Sequence, residues 1–356
     1  MPLRPVCWLA PSLVLLCVLA GGCASMGYYG QAVKGHWDLM RARRPLAAAI
    51  ADPSLPADTR RRLALAARAT DFASTSLALP ADGSYAHFVA LERPYVVWNV
   101  FAAPPDSFVL RQSCFMFVGC LDYRGFFGEA SARLAAAVLR ARGDDVYVGG
   151  VAAYSTLGWF KDPLLSSMLR WDDATLIKTL FHELAHQRVY ARHDTEFNEA
   201  FAMAVAEEGL RRWQRRYPLD PDADNAPARE AAVIELVLRY REKLSRMYAG
   251  TPEPRERDRL KGQAYAALRQ EFDTLAADWP DRDAWAPWFE QELNNAKLAA
   301  VAAYHRQVPG FACLLAHEGG DLPAFYAAVD VLARQSLSAR RTALARACSS
   351  RHNAQL

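Results

Sequence analysis

The sequence predicts an α+β protein that is mostly helical, with a small sheet in its first half and a helical second half. Short runs rich in β-branched and aromatic residues, which favour strands, lie before residue 161. From residue 172 onward, apolar residues recur with the period of a helix almost throughout. Because 52% of the 356 residues are hydrophobic and 23% are charged, the chain can bury a sizeable core.

The first half alternates predicted helices and strands. Helices are expected at 36–44, 57–73 and 128–142, and strands at 95–101, 108–118 and 144–148. Residues 153–160 are polar and contain a glycine, so we expect an edge strand or a loop there. The small sheet should pack against the helices.

The second half is expected to consist of helices. They are predicted near 173–191, 195–216, 226–248, 255–276, 290–307 and 322–335. A polar linker with three prolines spans residues 218–227 and weakly marks a subdivision near 220. We therefore predict that residues 23–356 form a single domain.

The charge balance does not indicate a nucleic-acid partner. The net charge is +3, from 42 basic and 39 acidic residues. The arginine clusters at 60–62 and 211–212 lie among helix-forming residues, so we interpret them as solvated helix faces. The sequence contains no indication of the oligomeric state.

The N-terminus has the features of an export signal. Arg4 is followed by an apolar stretch over residues 6–20 that is too short to span a membrane. The stretch ends in Leu-Ala-Gly-Gly-Cys at Cys23, which resembles a bacterial lipobox. We expect residues 1–22 to be a lipoprotein signal peptide and Cys23 to carry lipid; the alternative is ordinary signal cleavage near Cys23. Ala24 resembles a signal for the outer membrane, so we expect an anchored protein of the bacterial envelope that faces the periplasm.

Four cysteines remain once Cys7, Cys17 and Cys23 are set aside. They are Cys114, Cys120, Cys313 and Cys348. An even number in an exported protein indicates disulfides. Gly119 allows a tight turn, so we predict a disulfide between Cys114 and Cys120, whose spacing is not typical of a zinc knuckle. A pairing of Cys313 with Cys348 is what then remains.

The segment Phe-His-Glu-Leu-Ala-His at 181–186 contains the chemically most informative motif. On a helix, His182 and His186 project from the same face, where two imidazoles can bind one Zn²⁺ and Glu183 can reach its water. Asp172 is a suitable N-cap for this helix. The face with the two histidines has no charged residues, which indicates that it lines a cleft.

A third ligand is expected on the next helix, since a catalytic zinc site uses three protein ligands and one open position. Glu199 lies on a helix that is apolar around most of its circumference, and a buried carboxylate requires a partner. Glu196, Glu207 and Glu208 compete with Glu199 for this role. We predict that His182, His186 and Glu199 bind the metal.

The predicted mechanism follows from these parts. Zinc would lower the pKa of its water, and Glu183 would accept the proton and pass it to the leaving amine. One further donor should stabilise the oxyanion. The candidates are Tyr154, Tyr190, His193 and Tyr304.

These residues resemble those of a known group of enzymes. The His182–His186 motif followed by Asn198-Glu199-Ala200 is similar to the Glu-zincin metallopeptidases. The chain as a whole is more specifically similar to a bacterial family of predicted aminopeptidases, exported as predicted lipoproteins. The similar stretches are 28–45, 84–99, 114–127, 153–163, 182–209 and 294–326. The resemblance implies a zincin-like core, one Zn²⁺ and a peptide substrate.

Two features depart from well-known aminopeptidases with this motif. Twelve residues separate His186 from Glu199, which is fewer than in those enzymes, and no Gly-x-Met-Glu-Asn segment is present to capture a substrate amino terminus. Residues 154–160 are expected to hold a peptide by strand addition, but they offer no carboxylate for a free amine. Cleavage from the end or within a peptide therefore stays open. The alternatives are a zinc hydrolase of a non-peptide amide and a non-catalytic envelope lipoprotein.

Overall fold

The computed structural model describes residues 27–80, 83–115, 119–156, 159–218, 226–250 and 253–352. The predicted signal peptide, Cys23 and most of the linker near 220 lie outside these ranges. Within them the chain is mostly helical with small sheets, as the sequence predicts. No helix of these ranges is long and apolar enough to cross a membrane.

The helices account for most of the described chain. They are α1 (27–41), α2 (Leu46–Ala51), α3 (Ala57–Leu77), α4 (Glu129–Ala141), α5 (Asp173–His186), α6 (Thr195–Arg216), α7 (Ala226–Gly250), α8 (Pro254–Leu275), α9 (Arg282–Glu290), α10 (Asn295–His305), α11 (Val308–His317), α12 (Leu322–Ala333) and α13 (Leu337–His352). A 3₁₀ turn, Met168–Arg170, precedes α5.

The strands are short and form three small sheets. They are β1 (Arg44–Pro45), β2 (His87–Val89), β3 (Val97–Ala103), β4 (Ser113–Phe115), β5 (Gly119–Leu121), β6 (Arg124–Phe126), β7 (Asp145–Val151) and β8 (Leu164–Leu165). The sheet orders are β1-β2-β8, β6-β3-β7 and β4-β5. In the second sheet, β3 is central and antiparallel to both neighbours, with Val97 opposite Val151 and Ala103 opposite Asp145.

Several predicted elements have different bounds in the structure. Of the predicted strand 108–118, only Ser113–Phe115 is a strand in the described part, because Phe108 and Leu110 pack into a cluster formed by the helices of the second half. The described residues of 153–160 are not a strand. The helix predicted at 290–307 begins only at Asn295, since the Asn294 side chain accepts a hydrogen bond from the Lys297 amide and caps it.

Helices α5 and α6 form the centre of the main core. Helix α5 packs on α3 and α6, and α6 packs on α10 and α11. The side chain of Asp172 accepts a hydrogen bond from the Thr175 amide at 2.8 Å, which confirms the predicted cap. The aliphatic stripe of α5, from Leu176 to Leu184, is fully buried, and it holds the opposite, histidine-bearing face in one orientation.

The last helix is fastened to this core by covalent and charged contacts. Cys313 on α11 and Cys348 on α13 form a disulfide. On α13, Arg340 donates to the Asp194 carboxylate at 2.9 Å, and both side chains are nearly buried. Asp194 also caps α6 through the Phe197 amide. Breaking a buried pair of this kind costs about 3–5 kcal/mol. The pair therefore holds the start of α6 at one position relative to α13.

Lys297 on α10 is a buried basic residue whose burial can be tested through the pH dependence of stability. Its side chain is fully buried, and its ammonium donates to the Trp288 carbonyl and the Gln291 side chain. Burial first, and then the charge of Arg269, lower the pKa of Lys297 to about 8 from 10.5. Between these two values the unfolded chain binds more protons than the folded one, so ionisation of Lys297 makes stability rise with pH.

We expect the free energy of unfolding of the parent protein to increase relative to that of Lys297→Met between pH 8 and pH 10.5. Urea unfolding of both proteins across this pH range measures the difference between their free energies of unfolding. The contributions of other titrating groups are common to both proteins and cancel in this difference. A difference that does not change with pH would show that Lys297 is solvated in the folded state.

Candidate metal centre

Two imidazoles and one carboxylate converge between α5 and α6. The Nε2 atoms of His182 and His186 are 3.1 Å apart, and they lie 3.2 Å and 3.5 Å from Glu199 Oε2. The three residues are 7–9% exposed. His182 and His186 are one helical turn apart, and Glu199 reaches them from the first turns of α6. The structure thus brings together the three residues that the sequence predicts as ligands.

The size of this triangle fits a small tetrahedral ion. Bonds of about 2.0–2.1 Å to a tetrahedral ion place any two of its ligands about 3.3–3.4 Å apart. The three observed edges, 3.1, 3.2 and 3.5 Å, lie on both sides of that value. The three side chains therefore form a group that can hold a metal ion.

The chemistry of the three donors also favours a cation. Although burial alone would raise the pKa of Glu199, the charge of His186 and hydrogen bonds from both imidazoles lower it to about 2. Burial alone would lower the pKa of His186, but Glu199 raises it. The Nδ1 atoms of His182 and His186 are buried and have no hydrogen-bond partner within the described chain. The electrostatics of the three side chains thus favour positive charge at the centre of the triangle, from a proton or from a metal ion.

The competing carboxylates of α6 are engaged elsewhere or exposed. Glu196 is paired with Arg306, which directly follows α10, and with Arg341 on α13.

Glu208 is paired with Arg211 and Arg212 on its own helix. Glu207 is exposed to solvent. Of the four acidic side chains that the sequence offers on α6, Glu199 is the one that reaches the histidines.

Glu183 lies between the two histidines on α5 and has surroundings that differ from those of Glu199. Burial raises the pKa of its carboxyl group, the positive charges of His182 and His186 lower it, and Glu199 adds to the rise. The net direction is upward. A carboxyl group with a raised pKa takes up and releases a proton more readily near neutral pH.

Of the predicted oxyanion donors, the structure places Tyr304 beside the triangle. Its ring is stacked with that of His182, with centroids 6.2 Å apart. Burial, followed by the charge of Glu199, raises the pKa of Tyr304 well above its ordinary value. The same causes raise the pKa of Tyr190 to about 12. Both phenols therefore lie within electrostatic reach of Glu199 and keep their protons at neutral pH.

The other two predicted donors have different contacts. The Tyr154 hydroxyl lies 3.3 Å from His36 Nδ1 on α1. His193 has a left-handed backbone, and its Nδ1 accepts a hydrogen bond from the Cys120 amide at 3.0 Å. His193 therefore joins the loop between α5 and α6 to the β4–β5 hairpin.

That hairpin is closed by the disulfide between Cys114 and Cys120. Gly119 has a φ of 85°, and a Cβ atom there would lie 2.9 Å from His193 Nδ1, so the approach of the hairpin requires glycine. The residue that follows β5 contacts the start of α6, since the Asp122 amide donates a hydrogen bond to Thr195 Oγ1 at 3.2 Å. The hairpin thus packs on the connection between the two ligand-bearing helices.

Tyr123 also lies within electrostatic reach of Glu199, and it is not among the donors predicted from the sequence. Burial and then the charge of Glu199 raise its pKa well above the ordinary value. Tyr123 follows the hairpin, about 60 positions before the histidine motif. A single tyrosine outside any periodic pattern gives no signal in the sequence.

A comparison with known protein families finds a match over most of the chain. A sequence model of the family described as "Putative aminopeptidase" matches residues 27–344. The chain belongs to this family. Searches of curated proteins and of solved structures give no significant match. Membership of the Putative aminopeptidase family supports a peptidase as the general class of the protein.

In this member of the Putative aminopeptidase family, Asn198 ties the start of α6 to the loop before it. Asn198 Oδ1 accepts a hydrogen bond from the Ala191 amide at 2.7 Å, and its Nδ2 donates to the Ala191 carbonyl at 2.8 Å. Asn198 is 2% exposed. Because Glu199 is the next residue, this contact helps to set the position of its carboxylate relative to His186.

We expect Asn198→Ala to lower the free energy of unfolding of the metal-free protein by about 2–4 kcal/mol, because it leaves two buried backbone groups of Ala191 unpaired. Asn198→Asp keeps the acceptor but places a buried carboxylate oxygen against the Ala191 carbonyl, so it should lower the stability as well. Urea unfolding at neutral pH measures both. Equal stabilities for Asn198→Ala and the parent protein would contradict a role for this contact.

Proposed function

We propose that the protein is a zinc-dependent peptidase. In this proposal His182, His186 and Glu199 bind one Zn²⁺, and Glu183 is the catalytic base. The observation that carries the proposal is the triangle of donor atoms that the two imidazoles form with a carboxylate, with edges of 3.1, 3.2 and 3.5 Å. The family description supports a peptide as the substrate.

Zinc bound at this site would act as a Lewis acid and lower the pKa of a water molecule to about 7. The protein has to supply a group that moves protons between that water and the leaving amine. Glu183 fits this role because it is held between the two ligand positions and does not belong to the triangle. A carboxylate there can accept the proton and return it to the amine nitrogen.

Tyr304 is our proposal for the donor that stabilises the oxyanion. Its ring is stacked with that of His182, so Tyr304 lies beside the proposed metal site. Its raised pKa keeps the hydroxyl proton available for donation. Tyr123 is the next candidate, because the charges of Glu199 and Glu183 both act on it.

Strand β7 is our proposal for the surface that aligns the substrate. It is an edge strand in the order β6-β3-β7, and its backbone groups beyond Val146, whose carbonyl accepts a hydrogen bond from Asn294, can pair with an extended peptide. Its residue Tyr147 lies close enough to Tyr304 to raise the pKa of that phenol. This strand takes the role that the sequence analysis assigned to residues 154–160.

We further propose that the protein acts at the bacterial envelope, anchored by lipid on Cys23 and facing the periplasm. The lipobox-like sequence supports this location. An exported protein is also consistent with the two disulfides, which are typical of oxidising compartments.

Substitution of Glu183 by Gln tests the proposed function. We expect the parent protein to hold about one zinc per chain and to cleave a mixed peptide library. Glu183→Gln should hold the same amount of zinc and lose activity by about 10²–10⁴-fold, because the amide cannot take up the proton. Elemental analysis measures the zinc, and mass spectrometry of the products shows whether cleavage starts at an end of the peptide.

The matched control is Glu235→Gln, which makes the same change at an exposed position of α7. It should keep both zinc and activity. Zinc without peptide cleavage in the parent protein would favour either a different amide substrate or a non-catalytic role. Activity that survives in Glu183→Gln would contradict the assignment of the base.

A further inference from the structure

Helix α1 has one face that is already packed against the rest of the protein. Tyr28 stacks with the Arg124 guanidinium at 4.0 Å from the ring centre. Gln31 Oε1 accepts a hydrogen bond from the Phe127 amide at 2.9 Å. A Cβ atom on Gly35 would overlap the Phe127 ring, and Leu39 is 3% exposed. These contacts fix the rotation of the helix about its axis.

The opposite face of α1 carries large apolar side chains in solvent. Tyr29, Val33 and Trp37 are 43%, 69% and 60% exposed. They are four residues apart, so they form a single stripe along the helix. Because the inner face is occupied by other contacts, this stripe cannot turn inward without unpacking α1.

A second pair of exposed aromatic residues lies next to this stripe. Trp159 and Phe160 are 68% and 52% exposed. The Phe160 ring is 4.5 Å from the ring of His36 on α1. The Lys161 carbonyl accepts a hydrogen bond from Arg43, which follows the helix. We call Tyr29, Val33, Trp37, Trp159 and Phe160 together the aromatic surface.

The position of Cys23 in the sequence indicates what covers the aromatic surface. Six residues of chain join Cys23 to Tyr29, and a fully extended chain covers at most about 3.3–3.6 Å per residue. Lipid on Cys23 would therefore keep Tyr29 within about 20 Å of the bilayer surface, whatever path the chain takes. The first turns of α1 have to stay close to the membrane.

The charges around the aromatic surface also fit a bilayer. Lys34 and Asp38 pair with each other at 2.6 Å, so they contribute little net charge. Two further basic residues, Arg41 and Lys161, are exposed beside it. Aromatic residues flanked by basic ones are typical of proteins that lie in the headgroup region of anionic membranes.

We propose that the aromatic surface docks onto the lipid bilayer and holds the protein in a fixed orientation on it. This inference rests on the proposed lipid anchor at Cys23 and goes beyond it, because an anchor alone would leave the domain free to rotate. It does not depend on the proposed zinc chemistry.

Fluorescence quenching in vesicles tests the docking. The full chain is reconstituted into vesicles of phosphatidylethanolamine with a minor fraction of phosphatidylglycerol, with or without lipids brominated near the headgroup. The difference between the parent protein and Trp37→Phe isolates the emission of Trp37. We expect brominated lipid to reduce it by about half or more, since the apolar face of an interfacial helix lies about 5–10 Å into the headgroup boundary.

The matched control places a tryptophan at an equally exposed position far from Cys23 in sequence. Val331 on α12 is 61% exposed, against 60% for Trp37. In Val331→Trp with Trp37→Phe, the emission at 331 should not be quenched. Equal quenching at both positions would overturn the proposal, because it would mean that the domain has no preferred orientation.

Two further outcomes would overturn the docking and separate its failure from that of the other proposals. Lipid on Cys23, shown by mass spectrometry, together with an unquenched Trp37 would refute the docking and leave the anchor intact. Shielding of Trp37 from aqueous acrylamide without quenching by brominated lipid would place a protein partner or a second copy on this face. The peptidase assay tests the proposed zinc chemistry independently of the lipid anchor and of the docking.

Discussion

The arrangement on which the site depends is the convergence of three buried electron-pair donors between two consecutive helices. The triangle places a desolvated carboxylate next to two imidazole nitrogens, with no Lys or Arg side chain paired to it in the described chain. A buried, unpaired carboxylate is costly. The low pKa of Glu199 and the raised pKa of His186 reflect the attraction between the carboxylate and positive charge on the imidazoles. We propose that a zinc ion supplies the positive charge at this position.

Much of the remaining structure holds the start of α6 in place against α5. Asp194 caps the helix and is paired with Arg340, whose helix is joined to α11 by a disulfide. The side chain of Asn198 is bonded to both backbone groups of Ala191 in the connecting loop. On the other side of that loop, the β4–β5 hairpin contacts His193. These contacts come from distant parts of the chain, and together they restrict the position of the Glu199 carboxylate to the range that a small ion requires.

The residues of the site that could be predicted are those marked by a local pattern in the sequence. The spacing of His182 and His186 within one helix fixes their common face, and the apolar surroundings of Glu199 mark it as a carboxylate in need of a partner. The contribution of Tyr123 depends on tertiary packing, which no periodicity encodes. The same holds for the two-residue strands β1 and β8, and for residues 108–112, whose apolar side chains resemble a strand but pack among helices.

The measurement that tests the central claim most directly is a zinc competition titration on the parent protein, Glu199→Gln and Glu207→Gln. Both variants make the same change on α6, but Glu199 reaches the histidines and Glu207 is exposed. The account predicts that Glu199→Gln binds zinc at least about 10-fold more weakly than the parent, because the amide is a poorer and uncharged ligand. Glu207→Gln should bind zinc as the parent protein does. Unchanged affinity in Glu199→Gln, or an equal loss in both variants, would contradict the account.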